Sequence, residues 1–583
     1  MKLNLQEMPF STRGSYMVVG YHEGIFNGQE IKKGIYLRTV HGMAQMPFIA
    51  QLIPVNGDEE LSYTVEAQPH ALEVKCGCGV ITFSFADADT LVITGKGEMF
   101  GIRFEMLHQG SFEMIEPVMT GSGLSYLVNS FGTKTRYMLT CQGGKENLDQ
   151  KWNVSGAMHA AFQVDAVDRT FTVVLEEIED SWYQKNTVYD IDQVCEYAKK
   201  EFDMFYQSMP VVPERFEEAR RKAAYVNWSS IVKKKGFLKR DTMFMSKNWM
   251  CNVWTWDHCF NAMVLAYENP QEAWNQFMLP FDNQTETGRL PDSINDSLII
   301  DNYCKPPIHG WTLRHLKRIM HLDKDQEYEA YQGLSKWTEW WLNYRDQDRD
   351  GLCEYTHGND SGWDNSTVFH ELPPVTSPDL ATFLIIQMEE LANLADAIGR
   401  TEEMEQWNHR AEKMKQQLFS QLFDGEKPIA IRTITREKID SESLLVYMPI
   451  LLGMELPEDK KQYMIRQLKS KRFCTEHGLA TESPQSPLYE SDGYWRGPIW
   501  APSTMLLADG LWECGEKEFV KSLTEKFCEM VLKSGCAENF DALTGDGLRD
   551  RAYTWTASVM LVMAHEFLAE ETEGTKLSEE EVD

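Results

Sequence analysis

The sequence has too few basic residues to balance its acidic ones. Lys and Arg together number 57 against 89 Asp and Glu, which gives a formal net charge of −32 over 583 residues. A protein that binds nucleic acid or an anionic membrane surface needs a basic face to neutralise phosphate groups. The composition therefore argues against both kinds of partner.

Long apolar runs are also missing. No stretch approaches the length of a membrane span, and residues 1–10 lack the basic segment followed by an apolar run that marks a signal peptide. The twelve cysteines are scattered, and Cys76 and Cys78 are too closely spaced for a zinc knuckle. Dispersed cysteines of this kind are typical of reduced thiols, so we expect a cytoplasmic protein without membrane contact.

What the sequence does contain divides it into two parts. Residues 1–188 are rich in short β-branched or aromatic runs separated by Gly, Asn and Asp, as at 34–40, 90–94 and 170–175. Many short strands with turn signals predict an antiparallel β-sandwich domain. This region contains no catalytic constellation, so we expect it to support a substrate site or to form its rim.

Helical periodicity takes over at about residue 189 and continues to 569. The pattern predicts a mainly α fold of about a dozen helices, including one at 441–454. Long aromatic loops join the helices, and long loops on a rigid scaffold usually carry function. A double ring of six helical hairpins and a solenoid both fit this pattern. Residues 570–583 are acidic and free of aromatic residues, which predicts a disordered tail.

One loop, residues 357–367, is a candidate for acid catalysis. It places Asp364 next to Trp363, between glycines and small polar residues. A neighbouring apolar surface raises the pKa of a carboxyl group and can keep it protonated as a general acid. The same loop could instead be a solvated turn whose Asp and Asn side chains cap the next helix.

Three further loops carry residues suited to binding a sugar. Trp256 and Asp257 offer a stacking face and a hydroxyl acceptor, or alternatively a helix entry with Asp257 as the N-cap. Trp495 and Arg496 lie between glycines, where the guanidinium can bind a polar ligand or join a structural cation–π cluster. Glu538 precedes a turn, and this motif by itself favours a solvated loop carboxylate.

The segment 346–354 contains the first part of a calcium-binding loop. Carboxylates occupy its positions 1, 3 and 5, glycine position 6, the carbonyl of Leu352 position 7 and Glu354 position 9. Position 12 is His357 rather than Glu, so the segment is not an EF-hand. Oxygen ligands suit calcium better than zinc, and an acidic turn at a helix end is the alternative. We expect a structural Ca²⁺ ion bound by Asp346, Asp348, Asp350, Leu352 and Glu354.

Taken together and in order, six loop motifs resemble those of the inverting glycoside hydrolases of family 63 and their trehalase relatives. The motifs are Trp-Thr-Trp-Asp (254–257), Gly-Arg-Leu-Pro (288–291), Pro-Pro-Ile-His-Gly-Trp (306–311), Ser-Gly-Trp-Asp-Asn-Ser (361–366), Tyr-Trp-Arg-Gly-Pro-Ile-Trp (494–500) and Glu-Asn-Phe-Asp-Ala-Leu-Thr-Gly (538–545). Each motif is weak alone, but their shared order is specific. The resemblance implies an (α/α)6 barrel over residues 189–569, with the active site at one end of the ring and no catalytic cofactor.

The resemblance also implies roles for single residues. Asp364 matches the general acid of the family and Glu538 its general base. The residues expected to line the sugar pocket are Trp256, Asp257, His309, Trp363, Trp495 and Arg496. Ala542 stands where many relatives have Pro, and the arginine-rich signature of trehalases is not apparent, so trehalose is not the expected substrate.

The expected function is exo-acting, inverting hydrolysis of α-glucosidic or α-mannosidic bonds in small oligosaccharides or glycosides, such as glucosylglycerate. An acidic aglycone would require basic residues near the site. Lys305, Arg289 and Arg496 are candidates, although the first two are also explained as ordinary surface charges. A catalytically inactive carbohydrate-binding protein and a glycoside phosphorylase on the same barrel are the alternatives.

Overall fold

The fold is described by a computed structural model that covers residues 1–568, apart from 45, 108–111, 122, 154–155 and 371–372. The predicted acidic tail at 570–583 lies outside the described residues. Among the helices described, none is both long and apolar enough to cross a bilayer. All twelve cysteines are free thiols.

Among the described residues of the first part of the chain, fifteen strands form two antiparallel sheets. They are β1 (Met17–Phe26), β2 (Gln29–Thr39), β3 (Phe48–Asn56), β4 (Glu59–Glu60), β5 (Tyr63–Gln68), β6 (Ala71–Cys76), β7 (Gly79–Asp87), β8 (Thr90–Gly97), β9 (Gly101–Met106), β10 (Met114–Thr120), β11 (Gly123–Ser130), β12 (Thr135–Gly143), β13 (Lys145–Asn153), β14 (Gly156–Asp165) and β15 (Thr170–Glu177). One sheet has the order β1-β2-β3-β9-β14-β13, with β4 paired to β3, and the other has the order β10-β11-β12-β15-β8-β7-β6-β5.

Alternating side chains hold the two sheets together as a sandwich. In β6, Leu72 and Val74 are buried while the residues between them are partly exposed, as expected when one face of a sheet lines a core. Leu37 from one sheet and Phe83 and Phe171 from the other belong to the same buried cluster. The predicted antiparallel β-sandwich is confirmed.

The second part of the chain contains twelve α-helices among its described residues. They are α1 (Ile191–Gln207), α2 (Glu217–Ser230), α3 (Asp257–Leu265), α4 (Pro270–Met278), α5 (His309–Ile319), α6 (Lys324–Tyr344), α7 (Pro378–Ala397), α8 (Thr401–Gln421), α9 (Glu458–Lys469), α10 (Ala501–Glu513), α11 (Lys517–Ser534) and α12 (Thr554–Phe567). The α-helix predicted at 441–454 is the exception. A 3₁₀ segment, Leu444–Glu455, stands there, because Pro449 lacks an amide hydrogen and Gly453 leaves helical geometry.

Six buried elements of the helical part contact one another in a closed cycle. The order around the cycle is α3, α5, α7, the 3₁₀ segment, α10 and α12, which returns to α3. All nine residues of α3 are buried, because a helix surrounded by other helices has no face left for solvent. Helices α4, α8 and α11 pack outside α3, α7 and α12. The loops between these elements carry the motif residues.

Candidate active site

Four loop segments bring three carboxyl groups and one lysine together. Asp257 is the first residue of α3 rather than its N-cap, and Lys305 precedes α5. Asp292 lies next to the short strand Ser293–Ile294, which pairs with the strand Val253–Trp254 just ahead of Asp257. Asp364 follows the 3₁₀ turn Gly358–Ser361. Short local pairings thus hold together residues that are far apart in the chain.

Lys305 is the buried counter-charge of this group. Its Nζ lies 3.1 Å from Oδ1 of Asp292 and 3.7 Å from Oδ1 of Asp364, and its side chain is only 6% exposed. The same nitrogen donates a hydrogen bond to the carbonyl of Asn359. Burial lowers the pKa of Lys305, but Asp364, Asp292 and Asp257 outweigh it, so the net shift is upward. Lys305 therefore carries a positive charge at neutral pH.

The carboxyl groups around Lys305 resist ionisation. Burial raises the pKa of Asp257 well above its usual value, although Lys305 opposes the shift. Burial likewise raises the pKa of Asp292 and of Asp364, again against the pull of Lys305. The side chain of Asp364 is the most exposed of the three, at 32%. Asp364 is therefore the member of the group best placed to exchange a proton with a bound molecule.

The backbone around Asp364 is fixed by its neighbours. Gly362 has a left-handed backbone with φ of 75°, and a Cβ atom there would lie 2.6 Å from the indole of Trp256. Asn365 donates a hydrogen bond to the carbonyl of Gly493 and accepts one from the amide of Trp495 at 2.9 Å. The acid loop and the loop of Trp495 therefore form one unit.

Glu538 lies at the same site as Asp364. Tyr494 donates its hydroxyl to Oε1 of Glu538 at 3.2 Å. Burial raises the pKa of Glu538 to about 7, with smaller contributions from Asp550 and Asp364. The pKa of Tyr494 is also raised, first by burial and then by Glu538 and Asp364, so its phenol remains a neutral donor. Asp364, from a distant part of the chain, thus helps to raise the pKa of Glu538 across one site.

The predicted sugar-stacking tryptophans form a buried wall. Trp256, Trp363 and Trp495 are 2%, 1% and 1% exposed. The ring centroid of Trp495 lies 4.7 Å from that of Trp363 and 6.1 Å from that of Trp256, and Trp495 stacks on Trp500 at 4.0 Å. These rings use most of their faces on one another. They shape the site more than they offer an open platform.

Two residues predicted for the pocket make their contacts elsewhere. His309 is buried, its Nε2 lies 3.2 Å from the carbonyl of Thr255, and burial lowers its pKa to about 4. It is therefore a neutral core residue beneath the Trp256 loop. The guanidinium of Arg496 is paired with Glu490 at 2.8 Å. The structure brings neither side chain into the group around Lys305.

Sequence reasoning underweighted Lys305 and missed Asp550. A surface position for Lys305 is wrong, because the residue is 5% exposed. The signal available in the sequence was its place in Cys-Lys-Pro-Pro-Ile-His-Gly-Trp (304–311), where few other polar residues occur, because a charge that is buried among apolar residues must be paired. Asp550 has no motif around it, yet its carbonyl accepts the amide hydrogen of Glu538 at 2.8 Å.

The predicted calcium ligands also lie together. Single carboxylate oxygens of Asp346, Asp348 and Asp350 lie within 4.8 Å of one another. Oδ1 of Asp346 and Oε2 of Glu354 are buried without a hydrogen-bond partner, as expected of oxygens that await a cation. The guanidinium of Arg436 lies 2.5 Å from Oδ2 of Asp350 and so neutralises part of the cluster. The donor set fits a hard, oxygen-seeking cation.

Replacement of Lys305 by Met should destabilise the protein in a pH-dependent way. Loss of a buried counter-charge costs about 3–5 kcal/mol when its partners stay ionised. Carboxyl groups with raised pKa values favour the folded state at low pH, and this contribution is lost as the pH rises through those values. We therefore expect a larger fall in the free energy of unfolding at pH 8 than at pH 5, measured by urea denaturation. An equal loss at both pH values, or a loss no larger than that of the exposed control Lys324→Met, would contradict the pairing.

Comparison with known proteins places the chain in a family. The model of the mannosylglycerate hydrolase MGH1-like glycoside hydrolase domain matches residues 250–556. Mannosylglycerate hydrolase MGH1 of Selaginella moellendorffii is 22% identical over 390 residues, which cover 53% of this chain and 79% of that protein. Glucosylglycerate hydrolase of Mycolicibacterium hassiacum is 21% identical over 406 residues, 53% of this chain and 91% of that protein.

Solved structures show the same fold. The mannosylglycerate hydrolase of family 63 from Thermus thermophilus, in complex with glucose, aligns with a TM-score of 0.52 and 19% identity over 60% of this chain and 99% of its own. A bacterial glucoamylase in complex with acarbose aligns with a TM-score of 0.62 and 10% identity over 97% of this chain and 94% of its own. On the family match and the site together, the chain belongs to the MGH1-like family of glycoside hydrolases.

Proposed function

We propose that this glycoside hydrolase is an exo-acting, inverting enzyme that cleaves α-glucosidic or α-mannosidic bonds in small glycosides. The observation that supports it most is the meeting of Asp364 and Glu538 at one site, each in surroundings that raise its pKa. Paired carboxyl groups are what hydrolysis of a glycosidic bond requires.

In the proposed mechanism the two carboxyl groups have opposite tasks. Asp364, protonated, donates to the departing glycosidic oxygen. Glu538, ionised, takes a proton from a water molecule that attacks the anomeric carbon from the opposite face. Tyr494 orients the Glu538 carboxylate through its hydroxyl. Asp257 and Asp292, beside Lys305, are available to accept hydrogen bonds from hydroxyl groups of the bound sugar.

Glycerate glycosides are the first substrates to test, because the relatives named above act on them. The three basic residues considered for an acidic aglycone are already paired, Lys305 with Asp292, Arg289 with Asp301, and Arg496 with Glu490. A glycerate carboxylate that bound to one of them would have to displace its partner, which costs free energy. Arg549 and Arg551, which line the cavity at Glu538, are further candidates.

We further propose that the helical part is a domain over residues 189–569, built as an (α/α)6 barrel, and that residues 1–188 are a separate β-sandwich domain. The closed cycle of six buried elements supports the barrel. In this arrangement the 3₁₀ segment Leu444–Glu455 fills one of the six inner positions.

A structural Ca²⁺ ion is proposed for the loop at 346–354. The two unpartnered buried oxygens of Asp346 and Glu354 support it, as does the carboxylate cluster. The ligands would be the side chains of Asp346, Asp348, Asp350 and Glu354 and the carbonyl of Leu352. The loop leads directly into the segment that carries Asp364, so the ion would brace that segment without taking part in the chemistry.

The proposed activity is tested by a panel of α-glycosides. Purified enzyme is given mannosylglycerate, glucosylglycerate and neutral α-linked disaccharides, and the released sugar is measured with and without phosphate. We expect hydrolysis without phosphate and a first product of inverted configuration, read by proton NMR. Asp364→Asn and Glu538→Gln should each lower kcat by about 10²–10⁴-fold, because each removes a proton-transfer group. A product of retained configuration, phosphate-dependent turnover or a fully active Glu538→Gln variant would reject the assignment.

The pH dependence of a variant can isolate Glu538. A glycosyl fluoride needs less acid assistance, so Asp364→Asn should retain turnover of α-glucosyl or α-mannosyl fluoride. Because the base must be ionised, kcat/KM should rise with pH to a plateau. The midpoint should lie below about 7, since the variant lacks the charge of Asp364, which helps to raise the pKa of Glu538. A profile that falls as pH rises would show that Glu538 is not the base.

Calcium should stabilise the protein rather than activate it. Addition of CaCl₂ to metal-stripped enzyme should raise Tm by several degrees, because an ion present at about 100 times its Kd adds about 2.7 kcal/mol to the folded state. Asp346→Asn should abolish the shift. Asp424→Asn, at an exposed carboxylate paired with Lys438, is the matched control. An unchanged Tm in wild-type enzyme would rule out the site.

A further inference from the structure

A cavity of about 450 Å³ lies against Glu538 at the junction of the two parts of the chain. Its walls include Gln6 and Glu7 from the start of the chain, Trp249 from the loop before Val253–Trp254, and Arg549 and Arg551 from the segment before α12. Glu538 is the member of the proposed catalytic pair that lines it. The cavity therefore meets the reaction site at the proposed base.

The lining of this cavity can hold water. Carboxyl groups, arginines and amides border it together with Trp249 and Met250, and its polar groups would lose hydrogen-bond partners if an apolar group filled it. Its volume holds on the order of ten water molecules at about 30 Å³ each. Gln6 and Glu7 are exposed residues that line the cavity, so the cavity opens to bulk solvent beside them.

The wall formed by Gln6 and Glu7 is firmly anchored. Their turn, residues 5–8, is held by the buried side chains of Leu5 and Met8, which are 7% and 6% exposed. The amide of Tyr21 on β1 donates to the carbonyl of Leu5 at 3.2 Å. We therefore expect that Gln6 and Glu7 can be substituted without displacing the turn.

An inverting hydrolase needs water on the face of the sugar that its leaving group does not occupy. In the proposed mechanism the sugar occupies the side of the site that Asp364 and Lys305 border. The cavity offers water a route to Glu538 from the solvent.

We propose that this cavity is the chamber from which the attacking water reaches Glu538, and that the turn at 5–8 forms one wall of its opening. The proposal rests on the proposed function. It gives the sandwich part of the chain a role in turnover, through a segment outside the matched family domain at 250–556.

Filling the chamber should slow the attack without weakening substrate binding. Gln6→Trp and Glu7→Trp each place an indole at the wall, and we expect kcat to fall by tenfold or more while KM stays within twofold of wild type. Gln68→Trp, at an exposed position at the end of β5 in the same sandwich, is the matched control. An unchanged KM also shows that the variants are folded.

Azide tests the same route with another nucleophile. In a Glu538→Ala variant, azide should restore turnover of the α-glycosyl fluoride. The C–F bond breaks, fluoride leaves with hydrogen-bond assistance from Asp364, and a nitrogen of azide forms the new bond to give the β-glycosyl azide. Adding Gln6→Trp should cut this rescue at least tenfold, whereas Gln68→Trp should not.

The outcomes separate the two proposals. If wild-type enzyme retains the anomeric configuration, the proposed function fails and the chamber fails with it. If hydrolysis inverts but Gln6→Trp and Glu7→Trp match Gln68→Trp in kcat and in azide rescue, the chamber alone is rejected.

Discussion

The site depends on one buried ammonium group. Lys305 is nearly inaccessible, and it is the positive charge beside Asp257, Asp292 and Asp364. Without this lysine, the buried carboxyl groups could ionise only at a high cost in free energy, because a buried charge needs a partner. The lysine lowers that cost without removing the upward pKa shifts. The pKa values of the three carboxyl groups therefore stay above their usual range while a compensating positive charge lies beside them.

The aromatic wall maintains that balance. Trp256, Trp363 and Trp495 pack against one another, and Gly362 lets the acid loop approach the indole of Trp256. Such packing excludes water on the inner side of the site and strengthens the electrostatic interactions there. The cavity beside Glu538 lies on another side of the site, and its lining mixes charged groups with Trp249 and Met250. The two carboxyl groups Asp364 and Glu538 therefore have different surroundings.

The scaffold explains how distant residues can be placed so closely. Helices α3, α7 and α10 of the inner cycle are buried along most of their length, so packing from several sides fixes their ends. The loops at those ends are anchored by the helices. Short strand pairings, such as that of Val253–Trp254 with Ser293–Ile294, connect the loops to one another. The turn at residues 5–8, which precedes β1, packs into the same buried core as the helices through Leu5 and Met8.

The sequence by itself determined the order of the two parts, the family and the candidate pair of carboxyl groups. Alternation in the strands and helical periodicity after residue 189 are local properties, and the six motifs are recognisable without coordinates. The ligand spacing at 346–354 is also local. Each of these can be read from neighbours in the chain, which is why the sandwich and nearly all the helices were predicted correctly.

Only the tertiary structure decided which of these residues belong to the site. Lys305 lies buried among the carboxyl groups of the site and His309 lies in the core. Neither position can be read from the sequence, because burial depends on segments that are far away along the chain. Arg496 forms an ion pair with Glu490. Asp550 and Trp249 line the same cavity as Glu538, although no sequence motif marks them. Periodicity could not foresee that the 441–454 segment is 3₁₀, since the effect of Pro449 was outweighed by the apolar pattern. Desolvation and long-range pairing are properties of the folded chain, and they set the protonation on which the chemistry depends.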